Sequence, residues 1–356
     1  MSFLQNLVKE LKGLIKAAND PIISGLKKTG ELLGNKTTSL ESQIADLRHV
    51  IDVLSKGGIS TGKVQAQSIS FMISNRTKCN AGCEGCISRT TPDCPLDTDK
   101  IQELDFNRLD IGLDFAARCG ATSAIMTGKA DPLQERPVYL TKLIRHARAK
   151  MPEVDIHTNS FLLGKRHQLK DLVEAGLTMI TFSIASFNPD QNVAFMGENA
   201  RKMDYHRLIS EAKDLGLKVR CSLLLTKVSV QTIDEIIDYI RTAKEYGAHQ
   251  VVIRELWVSD VEVENQTDVW HWNIKNKVPL NAFIEDFWTC HHDNHRHGIK
   301  YIWPLPWGTP IFDVSGMNVT FSRCEESLNG ATLKSIVHKI DGHGYRDWDH
   351  EGSILY

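Results

Sequence analysis

Ser68-Ile69-Ser70-Phe71-Met72-Ile73-Ser74 and, shortly after it, Cys79-Asn80-Ala81-Gly82-Cys83-Glu84-Gly85-Cys86 decide how this chain is read. The first stretch is an apolar run of strand length, and short runs of that kind read as buried strands. The second places three cysteines at C-x3-C-x2-C spacing. Thiolates are soft ligands that suit iron–sulfur clusters, zinc or copper(I). Most protein-bound [4Fe-4S] clusters take four cysteines; three leave one iron open to a ligand from outside. The spacing therefore points to chemistry at the metal as well as to structure.

Outward from this stretch the chain alternates strand and helix. Apolar runs of strand length fall at 69–73, 123–127, 154–157, 179–184, 219–225 and 250–256, with helical periodicity at 106–118, 138–150, 166–174, 204–215 and 233–246. Gly120, Gly176, Gly216 and Gly247 follow the helices, where a left-handed cap is wanted. Alternation of this kind predicts a parallel sheet covered by helices. The strands read as continuous apolar runs, as expected of strands buried on both faces. A closed eight-stranded barrel needs about 250 residues, and six units occupy fewer. The expected fold is α/β: a partial (β/α)6 TIM-like barrel over residues 65–260, an N-terminal helical extension over 1–64, and a C-terminal α+β extension over 261–356. The extension is expected to close the barrel and contribute to the substrate site. Its short β-like runs lie at 318–322 and 333–340, one helix is expected at 280–291, and Asp341-Gly342-His343-Gly344 reads as a hairpin turn.

Composition bounds the rest. The 356 residues are 42% hydrophobic and 24% charged, with a formal net charge of -2. That balance gives no argument for nucleic acid or an anionic membrane as a partner. No run is long enough to span a bilayer, and Met1-Ser2-Phe3-Leu4-Gln5-Asn6 does not resemble a signal peptide, so a cytoplasmic location is expected. Of the eight cysteines, five are scattered, which fits packed thiols better than a disulfide framework.

In parallel barrels, sites gather at the carboxyl ends of the strands. The three cysteines lie past the first strand. Thr127-Gly128-Lys129-Ala130-Asp131-Pro132 follows the second, His157-Thr158-Asn159-Ser160 the third, and Ser183-Ile184-Ala185-Ser186 the fourth. Arg220 and Ser222 lie on the fifth, and Arg254 and Glu255 on the sixth. Arg254 and Glu255 are neighbours on a strand and point to opposite faces, so one of them is expected to face the barrel interior. His291 and His295 share a helical face, an arrangement that suits either a metal or a helix end. The amphipathic N-terminal helices pack on the main domain or meet a partner protein or a membrane surface.

Cys79, Cys83 and Cys86 on the loop after the first strand resemble the motif of the radical S-adenosylmethionine (radical SAM) superfamily. Gly128, Lys129 and Asp131 look like its glycine-rich segment that meets the methionine amino group. Thr158-Asn159, Ser183-Ile184-Ala185-Ser186 and Val219-Arg220-Cys221-Ser222 are similar to segments of the branch containing GTP 3′,8-cyclase and peptide-modifying enzymes. The resemblance covers residues 65–260. It implies one [4Fe-4S] cluster on Cys79, Cys83 and Cys86, with S-adenosylmethionine held by Gly128, Lys129, Asp131, Thr158, Asn159, Ser183 and Ser222. It also implies a reduced flavodoxin or ferredoxin as electron donor and a small-molecule or peptide substrate. Arg254, Glu255 and Cys324 are the candidates for work on that substrate. The chain departs from the pattern at Gly85, where the family usually has an aromatic near the adenine. The C-terminal part lacks the cysteine-rich pattern of auxiliary clusters. A rival reading is a zinc or iron–sulfur protein closed by Cys94 as fourth ligand.

Overall fold

A computed structural model describes residues 64–74, 76, 78–89, 103–258, 268–305, 308–323, 332–348 and 353–356. The helices expected in the N-terminal extension, Cys94 and Cys324 lie outside these residues. The chain divides into two compact units, Met1–Val64 with Asn329–Ala331, and the remainder; the fold below is that of the second.

Strands β1 (Gln65–Met72), β2 (Ser123–Thr127), β3 (Glu153–Thr158), β4 (Met179–Ser183), β5 (Lys218–Leu225) and β6 (Gln250–Glu255) pair in parallel and in chain order. Helices α1 (Phe106–Arg118), α2 (Pro137–Lys150), α3 (Leu169–Glu174), α4 (Pro189–Met196), α5 (Tyr205–Asp214) and α6 (Ile233–Tyr246) run between them. Local chemistry sets their limits. The α6 helix opens on a reciprocal capping box between Thr232 and Glu235 and closes on Gly247 at φ 105°, which satisfies end groups that the helix itself leaves unpaired. Asn188 caps α4 through its side chain, and Pro189 fills the first turn, where a missing N–H costs nothing.

Beyond β6 come α7 (Asp268–Asn276), α8 (Leu280–His292), β7 (Ile299–Pro304), β8 (Pro310–Val314), β9 (Met317–Ser322), β10 (Thr332–His338) and β11 (Gly344–Tyr345). The β7-β8-β9 meander is antiparallel, yet β9 lies parallel to β6. At the opposite edge β10 lies parallel to β1, and the predicted turn at 341–344 links it to antiparallel β11. In the strand order, β10 and β9 are seven places apart. At about 4.8 Å per place a flat sheet would part them by roughly 30 Å. Instead Lys334 Nζ on β10 donates to Ser322 Oγ on β9 at 2.8 Å and to the Arg323 carbonyl at 3.2 Å. The sheet is curled almost into a ring, and a side chain spans the remaining seam. The partial barrel is therefore correct in class, with β9 and β10 flanking the six βα strands.

The expectation that the strands are buried on both faces holds on β4, where Met179, Ile180, Thr181 and Phe182 are all buried, but not on β5. On β5, Val219, Cys221, Leu223 and Leu225 are buried, whereas Arg220, Ser222 and Leu224 are partly exposed. Strand register carries this alternation around the sheet. Thr181, Arg220, Gln250 and Asn318 align on one face, as do Ser183, Ser222, Val252 and Thr320. Ile69, Met126, Ile156, Ile180, Val219 and Ile253 occupy the other face and are fully buried. The apolar core sits between strands and helices, and the inside of the curl is polar. Uncharged Ser and Thr on the inner face made these strands look apolar in sequence. Among the described residues no helix is long and apolar enough to cross a membrane.

Candidate functional site

The cysteine loop leaves β1 and is held from several sides. Gly82 N donates to the Met196 carbonyl (2.9 Å) and Glu84 N to the Phe195 carbonyl (3.1 Å), both at the end of α4. Asn80 N donates to Gln134 Oε1 (2.9 Å), and Gln134 Nε2 returns a bond to the Lys78 carbonyl (3.1 Å). Asn199 Nδ2 donates to the Asn80 carbonyl (3.0 Å), and Arg89 bridges the Cys83 and Glu84 carbonyls. Loop backbone of this kind needs partners once it is drawn against a protein surface, and here side chains from distant loops supply them.

Cys79, Cys83 and Cys86 are unbridged and partly exposed. Burial pushes the Cys83 thiol up to about 12, and the neighbouring Cys86 and Cys79 sulfurs add to the shift. Burial also raises Cys79. Three thiolates held this close repel one another unless a cationic centre neutralises them, and a bound metal deprotonates its thiols outright. Among the described residues no three Cys, His, Asp or Glu side chains converge on a point suited to one metal ion. A [4Fe-4S] cluster gives each cysteine a separate iron. The donor set fits the cluster, with one iron left over.

Asp131, Thr158 and Asn159 lie beside this loop, and the structure turns the first two toward each other. Asp131 accepts from Thr158 Oγ1 (3.0 and 2.9 Å), Asn159 N (2.5 Å) and Leu133 N (2.9 Å). Its carboxyl is raised to about 6, because burial outweighs the hydrogen bonds from Asn159, Leu133 and Thr158. Asn159 Nδ2 donates to Asn80 Oδ1 at 2.8 Å and stands 3.6 Å from Cys79 Sγ. Gly128 and Lys129 lie in the loop after β2. This set ties the ends of β2 and β3 to the cysteine loop.

The remaining predicted residues separate. Ser183 and Ser222 are register partners on the inner face, and Arg254 Nε donates to Ser222 Oγ at 3.0 Å. Glu255 points the other way. It lies 3.9 Å from Lys277 Nζ and 3.7 Å from Arg323 Nε, and it accepts from Leu280 N, the first residue of α8. A carboxylate at a helix start offsets the unpaired amides there, so Glu255 joins elements while Arg254 faces inward. Lower in the curl, Asp155 accepts from Thr181 Oγ1 (3.1 and 2.9 Å), stands 3.1 Å from His157 Nε2 and lies 3.5 Å from Arg220 Nη1. Burial alone would raise its carboxyl; His157, Arg220 and Thr181 outweigh that and hold it below the usual range. Sequence reasoning missed Asn80, Gln134, Asn199 and Asp155. Only the polar Asp155 inside a strand-like run gave a signal.

Fold and site together define an α/β protein with a three-cysteine cluster loop at the mouth of a curled, polar-lined parallel sheet. Residues 76–243 match the family model described as the radical SAM superfamily. Curated relatives include GTP 3',8-cyclase of Aquifex aeolicus, 29% identical over 196 residues, which covers 55% of this chain and 58% of the relative. GTP 3',8-cyclase of Campylobacter curvus is 31% identical over 179 residues, 48% and 51% of the two chains. The chain thus spans between half and three fifths of the curated relatives it matches. Streptococcus suis SuiB, solved bound to the precursor peptide SuiA and bound to S-adenosylmethionine, superposes with TM-scores of 0.54 and 0.53 at 15% identity. Both superpositions cover 93% of this chain and 72% of SuiB. At that identity the likeness shows the fold.

Proposed function

We propose that this chain holds one [4Fe-4S] cluster on Cys79, Cys83 and Cys86, binds S-adenosylmethionine at the open iron, and acts as a radical SAM enzyme on a polar small molecule or peptide. When bound and reduced by a flavodoxin or ferredoxin, the cluster and cofactor supply a 5′-deoxyadenosyl radical that removes a hydrogen atom from substrate carbon. The observation that carries this reading is the three-thiol loop over a polar barrel mouth, within a domain matching the family model. Gln134, Asn199 and the α4 carbonyls fix the loop; Asp131 and Thr158 hold Asn159 beside it. Ser183, Ser222 and Arg254 offer hydroxyls and a cation on the inner face, which suits the cofactor's carboxylate or an anionic group of the substrate.

One cluster is proposed because Cys290, in the C-terminal part, is fully buried on α8 and accepts from Arg296 Nη2 at 3.3 Å. Protein reconstituted with iron and sulfide without oxygen, then reduced with dithionite in the presence of S-adenosylmethionine, should release 5′-deoxyadenosine. A fully loaded protein that releases none, or one that binds a single zinc instead of the cluster, would sink the proposal.

A further inference from the structure

Gly85 lacks the aromatic side chain that the resembling family places beside its third cysteine, and the structure shows what stands in that space. A β-carbon at Gly85 would lie 2.6 Å from Asn273 Oδ1, 2.8 Å from Trp272 Cζ3 and 2.9 Å from Leu256 Cδ1. The backbone at Gly85 is not in the left-handed region, so glycine is required by close approach and not by dihedral angle. Both intruding polar and aromatic groups come from α7.

That helix is seated firmly. Lys227 N donates to the Asn276 carbonyl (3.0 Å), Thr226 and Lys277 form a backbone bridge, and Asn273 Nδ2 donates to the Trp257 carbonyl (3.0 Å). Trp272 is only partly buried. Its ring meets Phe195 at 5.8 Å between centroids, and it shares one apolar cluster with Ala81 and Cys83 of the cysteine loop and Leu224 of β5. Trp272 therefore lies against the cysteine loop at Gly85. Asn273 is 1% exposed, and its Oδ1 has no donor among the described residues. An acceptor buried without a donor is costly, and a ligand N–H at that place would satisfy it.

Given the cofactor reading above, on which this rests, we infer that α7 supplies the purine wall that the cysteine loop lacks, with Trp272 covering the adenine face and Asn273 Oδ1 accepting from the exocyclic amine. The purine end of the cofactor site is then built by a helix that follows the last βα strand, outside the matched domain, and the glycine in the motif is its counterpart.

The test uses the full chain, reconstituted with its cluster, in anaerobic titrations with S-adenosylhomocysteine, S-inosylhomocysteine and methionine. Trp272→Ala should weaken S-adenosylhomocysteine about tenfold or more, the scale of one aromatic–base stack. Methionine binding and iron content should be unchanged, and Trp272→Phe should stay within about threefold of wild type. The adenosyl ligand should quench tryptophan fluorescence in the wild type and not in Trp272→Phe. Wild type should prefer the adenosyl to the inosyl ligand, and Asn273→Ala should level the two. Unchanged adenosyl affinity in Trp272→Ala overturns the inference alone. In Trp272→Ala, equal weakening of S-adenosylhomocysteine and methionine together with iron loss overturns it in favour of a packing role. A wild-type protein that binds its cluster but not S-adenosylhomocysteine overturns the cofactor reading as well.

Discussion

Asp131→Asn removes a carboxyl that the fold buries at 7% exposure among three donors. Burial dominates those donors, and the group's value rises from 3.8 to about 6. The folded chain therefore keeps a proton there that the unfolded chain has already released. Its stabilising effect is complete below the unfolded value and is lost as pH rises through the folded one. Two pH units at 1.36 kcal/mol each give a loss of about 3 kcal/mol. Asparagine has no proton to lose. Wild-type stability minus that of Asp131→Asn should thus fall by about 3 kcal/mol between about pH 4 and about pH 7 and level off on either side. Denaturant unfolding of both proteins across this range, followed by circular dichroism, reads the difference directly, and titrations common to the pair cancel. A difference that is flat with pH, or that grows as pH rises, refutes the account of Asp131 as a carboxyl held against its burial.

Other outcomes follow from the same geometry. Cys83→Ser should abolish iron binding and 5′-deoxyadenosine release while leaving the far-ultraviolet spectrum of the fold intact; retention of a full cluster would count against the ligand set. Asn159→Ala removes the bond to Asn80 and the group nearest Cys79. It should hasten cluster loss in air several-fold without a stability change above about 2 kcal/mol, as measured by the decay of the iron–sulfur absorbance. His338, fully buried, is lowered to about 4, chiefly by burial, with Asp341 opposing. Its folded value lies below the unfolded one, so stability is lost as pH falls from 6.5 through about 4. Wild type should lose about 3 kcal/mol relative to His338→Asn over that interval, and parallel losses in the two proteins would show that His338 does not titrate as stated.

Much of the fold was legible because it is local. The limits of β2, α1 and α6 were read directly, since apolar period and a closing glycine coincide there. Helix α3 begins later than its apolar pattern, at Leu169, because His167 is drawn aside to the Leu133 and Glu135 carbonyls. Helix α4 was missed: Asn192, buried and bound to the Ala185 amide, breaks the expected apolar stripe. The joining of β10 to β1 could not be read, because residues 266 positions apart meet there. The site divides in the same way. The cysteines announce themselves by spacing, whereas the Gln134 clamp and the approach of α7 to Gly85 depend on chain segments that only folding brings together.

The inner face of the barrel has a consequence for how such a protein diversifies. Its hydrophobic energy is stored outside the ring of strands, between sheet and helices, where removing one large side chain costs about 3–5 kcal/mol. Part of the lining, including Ser183, Arg220, Ser222, Gln250 and Arg254, is partly exposed, and exchanges at surface-like positions away from a hydrogen-bond network usually shift stability by less than about 0.5 kcal/mol. Outside the Asp155 network, then, the interior can be re-lined over generations with little risk of unfolding. Cluster loop and scaffold can stay constant while the molecules admitted to the cavity change.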